Sequence, residues 1–203
     1  MALSGFNFGG VHSDAFGILV NKKKVPLTPT IENRLETIAG FDGAWDFGPS
    51  FGTRDIEIEC TVLRSSTTDL KSMVRNLAGH LNPQFGSRPL VFDDDSGVMY
   101  FAKLSNQIPL EQIGMLGTFT LQFTCSDPFT YGIDERTESG DMVNHFGSHI
   151  AQPEITITKE AGAGKYVITH TDNTFEMVEF TADSPSGVYV INSKEKTATI
   201  EGR

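Results

Sequence analysis

The stretch Thr118–Gly132 constrains this chain most. Phe119, Leu121, Phe123 and Cys125 alternate with Thr118, Thr120, Gln122 and Thr124. Successive side chains of a strand point to opposite faces, so a period of two built from aromatic and β-branched residues dictates a strand with one buried face. Ser126, Asp127 and Pro128 stop it, because proline brings no backbone donor and cannot continue a ladder. After Tyr131 and Gly132 the composition turns polar and charged over residues 134–141. That change predicts the end of a domain, with Asp127, Pro128, Phe129 and Tyr131 as its seam.

A second clean alternation runs over Arg54–Val62. Ile56, Ile58, Cys60 and Val62 fall inward, and Asp55, Glu57, Glu59 and Thr61 outward. Between the two strands lies one convincing helix. Leu70, Met73, Val74, Leu77 and Leu81 recur at helical spacing, giving a single apolar stripe that covers one face of a sheet. Residues 66–69 supply N-cap candidates and an early acid, and Gly79 with Asn82-Pro83 is expected to end the helix. Phe6 and Phe8 before Gly9-Gly10 predict a short opening strand and turn, and residues 15–21 a returning strand. Residues 25–31, interrupted by Pro26 and Pro29, are expected to be extended and irregular. A strand over 33–39, a turn over 40–43 and an aromatic segment over 44–49 follow. Residues 88–93 and 98–104 predict a hairpin around Asp94–Gly97, and residues 105–117 a loop.

From about Met142 the pattern restarts. Short strands over 154–158, 166–170, 175–181, 187–191 and 197–200 recur at even intervals, as in a β-sandwich. So few strands bury little core, which predicts a second domain over 137–203 cut short near Arg203. The first domain is then 1–136. The expected fold is mainly β, with one α-helix.

Bulk properties narrow the function. The chain of 203 residues is 38% hydrophobic and 21% charged, with 15 Phe and 20 Gly, values that suit a globular β-protein. No run is long and apolar enough to span a bilayer, and the N-terminus lacks the charge and apolar core of a signal peptide, so no membrane insertion is expected. A net charge of −10 argues against sequence-independent nucleic-acid binding, which needs basic clusters. The one basic cluster, Lys22–Lys24, reads as a solvated loop. Two cysteines, Cys60 and Cys125, face inward and read as buried thiols, with a buried disulfide as an alternative, in a protein made in a reducing cytoplasm.

The sequence offers little chemistry. His145 and His149 are four apart, but Phe146, Gly147 and Ser148 resist helix and no further ligands complete a metal site. Asp93–Asp95 before Gly97 lacks the alternating ligands of a calcium loop and reads as a solvated hairpin tip. No nucleophile elbow, phosphate-binding glycine loop or zinc-protease motif is present. Neither an enzyme nor a cofactor or metal site is expected.

The assembled motifs resemble a family. Gly5–Gly10, Phe16–Val20, Ile38–Gly43, Gly52–Ile58, Leu90–Asp95, Tyr100–Leu104 and Phe119–Gly132 are similar, in order and spacing, to the distal tail proteins of siphophages. The resemblance implies an N-terminal tail-tube-like β-sandwich with a protruding hairpin, followed by a partial galectin-like sandwich. It also implies a homohexameric hub at the virion tail tip, synthesised in the host cytoplasm. Its partners would be the tail-tube protein, the tail-associated tip protein and receptor-binding proteins. DNA would pass through its channel, where an acidic lumen limits adhesion by repulsion.

Within that frame the segment Asn33–Glu59 is the expected arm between ring neighbours. Trp45, Phe47, Phe51 and Arg54 are the candidate oligomer interface, because buried aromatics dominate interface energies. The competing role for the aromatics is the protomer's own core. Two alternatives stay open: a major tail-tube subunit, and a carbohydrate-binding module in which Trp45, Tyr166 and Tyr189 would stack on sugars.

Overall fold

The computed structural model describes residues 5–113, 115–134, 153–169, 175–193 and 195–200. The chain divides into two compact units, Met1–Thr137 and Glu138–Arg203.

The first unit contains β1 (Phe6–Phe8), β2 (Val11–His12), β3 (Ile18–Lys24), β4 (Ile31–Glu36), β5 (Trp45–Phe51), β6 (Arg54–Leu63), α1 (Thr67–His80), β7 (Arg88–Phe92), β8 (Asp95–Leu104), β9 (Glu111–Ile113), β10 (Leu116–Cys125) and β11 (Thr130–Gly132). Its main sheet runs β2-β1-β7-β8-β10-β6-β3, with β11 added to β8 and β9 to β10. The two strands with the cleanest alternation form its spine. Every residue of β10 pairs antiparallel with one of β6, from Leu116–Leu63 to Cys125–Arg54. On the inner face Phe119, Leu121, Phe123 and Cys125 and their neighbours Ile56, Ile58, Cys60 and Val62 are all buried.

The sheet folds over on itself. In a flat sheet β1 and β10 would lie three strand spacings apart, about 14 Å. Yet the Phe8 and Phe123 ring centroids are 4.8 Å apart, and Phe6 meets Phe123 edge-on at 6.4 Å. The crease lies between β8 and β10, which share only the pairs Leu104–Phe123 and Lys103–Thr124. Beyond them the Asn106 side chain takes over: its amide donates to the Thr120 carbonyl and its oxygen accepts from the Gln122 N–H, both at 3.0 Å. The result is a sandwich-like body whose edges, β2 and β3, do not close into a barrel.

The helix adds Leu70, Met73, Leu77 and Leu81 to the same core. Ser66 caps it, its hydroxyl accepting from the Asp69 N–H at 3.1 Å. Hydrogen bonds from Asp69's neighbours Ser65 and Ser66, and the nearby Arg64, hold its carboxyl below the usual range. Gly79 lies inside the helix rather than ending it. Burial of Leu77 and Leu81 carries the helix past an exposed glycine whose propensity cost is only about 1 kcal/mol.

Three sequence expectations change. Lys22–Lys24 is strand, not loop, since β3 continues to Lys24 and pairs with Glu57–Glu59 of β6. Lys24 reaches Glu57 at 2.6 Å, while Lys23 turns inward over the Phe92 ring and pairs with Asp94. Lysines and a bulge on an edge strand discourage further sheet pairing. The β7–β8 turn is tighter than expected, with Phe92 paired to Asp95. Asp93–Asp95 stay exposed at the tip as expected, but Asp93 is also held, accepting from the Gly5 N–H at 2.6 Å and meeting His12 at 3.1 Å. Finally, the expected loop before β10 contains β9, which pairs back onto Leu116–Thr118.

The second unit contains β12 (Glu154–Lys159), β13 (Gly164–Thr169), β14 (Phe175–Phe180), β15 (Gly187–Asn192) and β16 (Thr197–Ile200). They form a β12-β15-β16 sheet and a β13-β14 pair. Phe180 and Ile191 are buried, and Phe180 packs on Tyr189 at 4.8 Å. The ammonium of buried Lys159 donates to the carbonyls of Ser184 and Glu160, at 2.9 and 3.1 Å, as burial of a charge requires. His145, His149 and residues 201–203 lie outside the described residues.

Candidate interaction surface

Strands β4 and β5 belong to neither sheet. They form a two-stranded ribbon of their own, rooted where the Thr30 N–H donates to the Thr53 carbonyl and the Gly52 N–H to the Thr30 carbonyl, at 3.0 and 2.8 Å. Gly40 and Gly43, both at positive φ, carry its tip. The ribbon ends at Phe51, shorter than the expected arm, because Ile56 and Ile58 commit the following residues to the main sheet.

Almost every ribbon residue is exposed. Trp45, Phe47 and Phe51 are each more than half exposed (55%, 56% and 53%), as are Ile31, Leu35, Ile38 and Phe41. These aromatics are therefore not the protomer's core. An isolated hairpin of this kind is marginal in water, and single monomers rarely show contiguous apolar surface of this extent.

A bulge sorts the ribbon into two faces. Ile31, Glu32 and Asn33 pair with Phe51, Ser50 and Pro49, whereas Leu35 and Glu36 pair with Asp46 and Trp45, one residue out of step. The extra residue is Gly48, at φ +88°, its N–H held by the Asp46 carboxylate at 2.8 Å. Directly paired residues share a face, so a glycine bulge shifts the phase of everything beyond it. Strict alternation would align Trp45, Phe47 and Phe51. Instead Phe51 joins Ile31 and Leu35 on one face, while Trp45 and Phe47 join Arg34 and Glu36 on the other. The Arg34 guanidinium lies over the Phe47 ring at 5.4 Å and pairs with Glu36 at 3.6 Å.

The seam residues support the root. Phe129 meets Phe51 edge-to-face at 6.0 Å. The Asp127 carboxylate accepts from the Phe129 N–H at 3.2 Å and from the Tyr131 hydroxyl at 2.6 Å, which pushes the Tyr131 pKa up. Tyr131 packs on Phe101 at 5.5 Å, and Pro128 is buried. Arg54 stands apart from the ribbon, donating to the Pro26 carbonyl at 3.3 Å and lying over Tyr100 at 5.7 Å. Of the aromatics considered for sugar stacking, Trp45 and Tyr166 are exposed, but Tyr189 is held by Phe180 and the Pro185 carbonyl.

One surface escaped the sequence reading. Leu63 and Leu116 pair directly at the far end of the β6–β10 ladder. With Leu19 and Met115 they are exposed, Leu63 to 63%. The signal was available, since each is the next outward position in its own alternating strand.

Residues 17–125, from the start of β3 to the end of β10, match the family described as phage tail protein RIFT-related domain. The chain belongs to this family. It is 25% identical over 182 residues to the distal tail protein of Bacillus phage SPP1, covering 86% of this chain and 71% of that one. Its fold is similar to the crystal structure of the SPP1 Dit protein, characterised as a paradigm of the hub adsorption apparatus in phages infecting Gram-positive bacteria. The TM-score is 0.65 at 18% identity, over 98% of this chain and 84% of that one. The resemblance to siphophage distal tail proteins holds, and the mainly β architecture with one helix agrees with that neighbour.

Proposed function

We propose that this phage tail protein is the structural hub at the distal end of a siphophage tail. Six copies form a ring that joins the tail tube to the tip protein and to receptor-binding proteins, with the Met1–Thr137 unit forming the ring. The carrying observation is the exposed β4–β5 ribbon, a self-contained projection of aromatic side chains on a body of this family. Cyclic assemblies repeat one heterologous contact, and such a projection is suited to supply it, with Trp45, Phe47 and Phe51 as anchors. The net charge of −10 disfavours retention of DNA in the channel.

Electron microscopy and mass photometry of the purified chain test this reading. Six-fold rings with an open channel are expected. Long stacked tubes would favour a tube subunit instead, and monomers at tens of micromolar would refute the hub.

A further inference from the structure

His12 ends the edge strand β2, and its ring sits between two carboxylates. On one side Nε2 faces both oxygens of Asp93, in the β7–β8 turn, at 3.1 and 3.2 Å. On the other side Nδ1 accepts from the Asp14 N–H at 3.2 Å and lies 3.3 Å from the Asp14 carboxylate. A backbone amide can only donate, so Nδ1 is bare, Nε2 carries the proton, and the ring is neutral. In this form His12 caps the short 3-10 turn Ser13–Phe16.

Gly5 completes the junction. Its N–H donates to the Asp93 carboxylate at 2.6 Å, and its carbonyl accepts from the Asp93 N–H at 3.2 Å. A β-carbon on Gly5 would lie 2.7 Å from the His12 ring and 2.8 Å from the Asp93 carboxylate, so glycine lets the three groups close up. Among the described residues, Asp14 and Asp93 are the charged groups that meet the ring. The paired strand β1 sets the uncharged Asn7 opposite His12, and Lys23 of β3 is taken up by the neighbouring Asp94.

The junction is poised for a proton. In the neutral ring, the bare Nδ1 lone pair faces the Asp14 carboxylate, which is unfavourable. A proton on Nδ1 makes that contact charge-assisted and strengthens the bond from Nε2 to Asp93. The same proton ends the bond from the Asp14 N–H, because two donors would then face each other. Histidine is the side chain whose ordinary titration falls between about pH 5 and 8.

We infer that His12 is a proton-operated switch at the N-terminal edge of the first unit. Neutral, it caps the Ser13–Phe16 turn. Protonated, it releases that cap and clamps β2 to the Asp93 turn, with Asp14 as its second counter-ion. The released turn touches the core: the buried Ser13 hydroxyl accepts from the Phe6 N–H at 3.2 Å, and Phe16 packs on His80 at 5.5 Å. A change in the cap therefore reaches β1 and the end of α1. The switch stands apart from the ring reading.

Amide exchange of the full-length protein tests this, followed by mass spectrometry at about pH 8 and about pH 5 and corrected for intrinsic rates. On acidification the segment holding Asp14 should lose about fivefold in protection, the worth of one net hydrogen bond. The segment holding Gly5 should lose none. His12→Asn keeps an oxygen where Nδ1 stands and does not titrate, so its cap should persist at both pH values. His12→Gln keeps a donor where Nε2 stands but offers no cap, so its protection should be low at both. Equal protection of the wild type at both pH values, or the same loss on acidification in His12→Asn, would overturn the switch. The wild-type comparison needs no variant and so decides the matter even where a substitution weakens folding.

Discussion

Phe51 at the end of the ribbon and Phe129 just past the stop of β10 meet edge-to-face at 6.0 Å. The contact ties the projecting hairpin to the segment that ends the first unit. Such pairs contribute about 0.5–1.5 kcal/mol beyond area burial. Phe129→Ala should therefore lower the unfolding free energy by no more than about 2 kcal/mol in denaturant melts. It should also raise the rate of protease cleavage within residues 31–51 several-fold. Unchanged cleavage would mean that the root is held by its backbone bonds alone.

Replacing Gly48 gives a sharper perturbation. Gly48→Val puts a β-branched residue where φ is +88°, which works against the bulge. If the strand regularises with residue 48 kept, Trp45 and Phe47 move to the Phe51 face while the two strands stay paired. The Gly48→Val variant should keep its melting temperature within a few degrees and lose assembly. Trp45 is the chain's single tryptophan, so its emission reports the change directly. In wild type it should shift to the blue as concentration rises and rings form. In the Gly48→Val variant it should not respond to concentration.

Phe123 carries the fold of the body rather than its surface. It is fully buried and touches both Phe6 and Phe8 across the crease. Phe123→Ala should cost about 3–5 kcal/mol, measured as a shift of the denaturation midpoint. At the exposed Phe47, the same truncation should cost less than about 0.5 kcal/mol in the monomer.

Cys60 and Cys125 cannot pair with each other. They face Phe119 and Arg54 respectively on one ladder, six positions apart and so about 20 Å, far beyond disulfide reach. The alternative of a buried disulfide is thus replaced by two free thiols. Burial pushes Cys60 up to about 12 and Cys125 to about 11, from an ordinary value of 9.0. A thiol whose folded value is raised favours the folded state fully below the ordinary value. That contribution is lost as pH rises through the folded value. Stability measured by urea melts should therefore fall between about pH 9 and 12, and a Cys60→Ala, Cys125→Ala variant should show a shallower fall. A thiol reagent at pH 8 should label neither site until urea unfolds the chain.

How much was legible follows from what alternation records. It records burial, so β6, β10 and the α1 stripe stood out, with Ile56–Val62, Phe119–Cys125 and Leu70–Leu81 on their inner faces. An edge strand that lies partly in water leaves a weaker trace. Lys22–Lys24 read as loop because the pairing that makes it strand comes from Glu57–Glu59, more than thirty residues away. The ribbon was legible as a glycine-bounded aromatic segment, but not its division into faces. One backbone residue at positive φ sets that division, and side-chain pattern alone does not report it. Leu63 and Leu116 were missed because the expected strands stopped at Val62 and began at Thr118, whereas the ladder runs on to Leu63 and starts at Leu116.

The crease between β8 and β10 has a consequence of its own. Two ladder pairs and the Ser105 and Asn106 bonds to Thr120 and Gln122 join the halves there, and the bulk of Phe6, Phe8 and Phe123 holds them apart on the inner side. Curvature in this body is thus in part a matter of side-chain volume. A protomer's curvature helps decide how wide a circle its copies can close. The bore of such a circle would then be written, in part, in three phenylalanines that never see its surface.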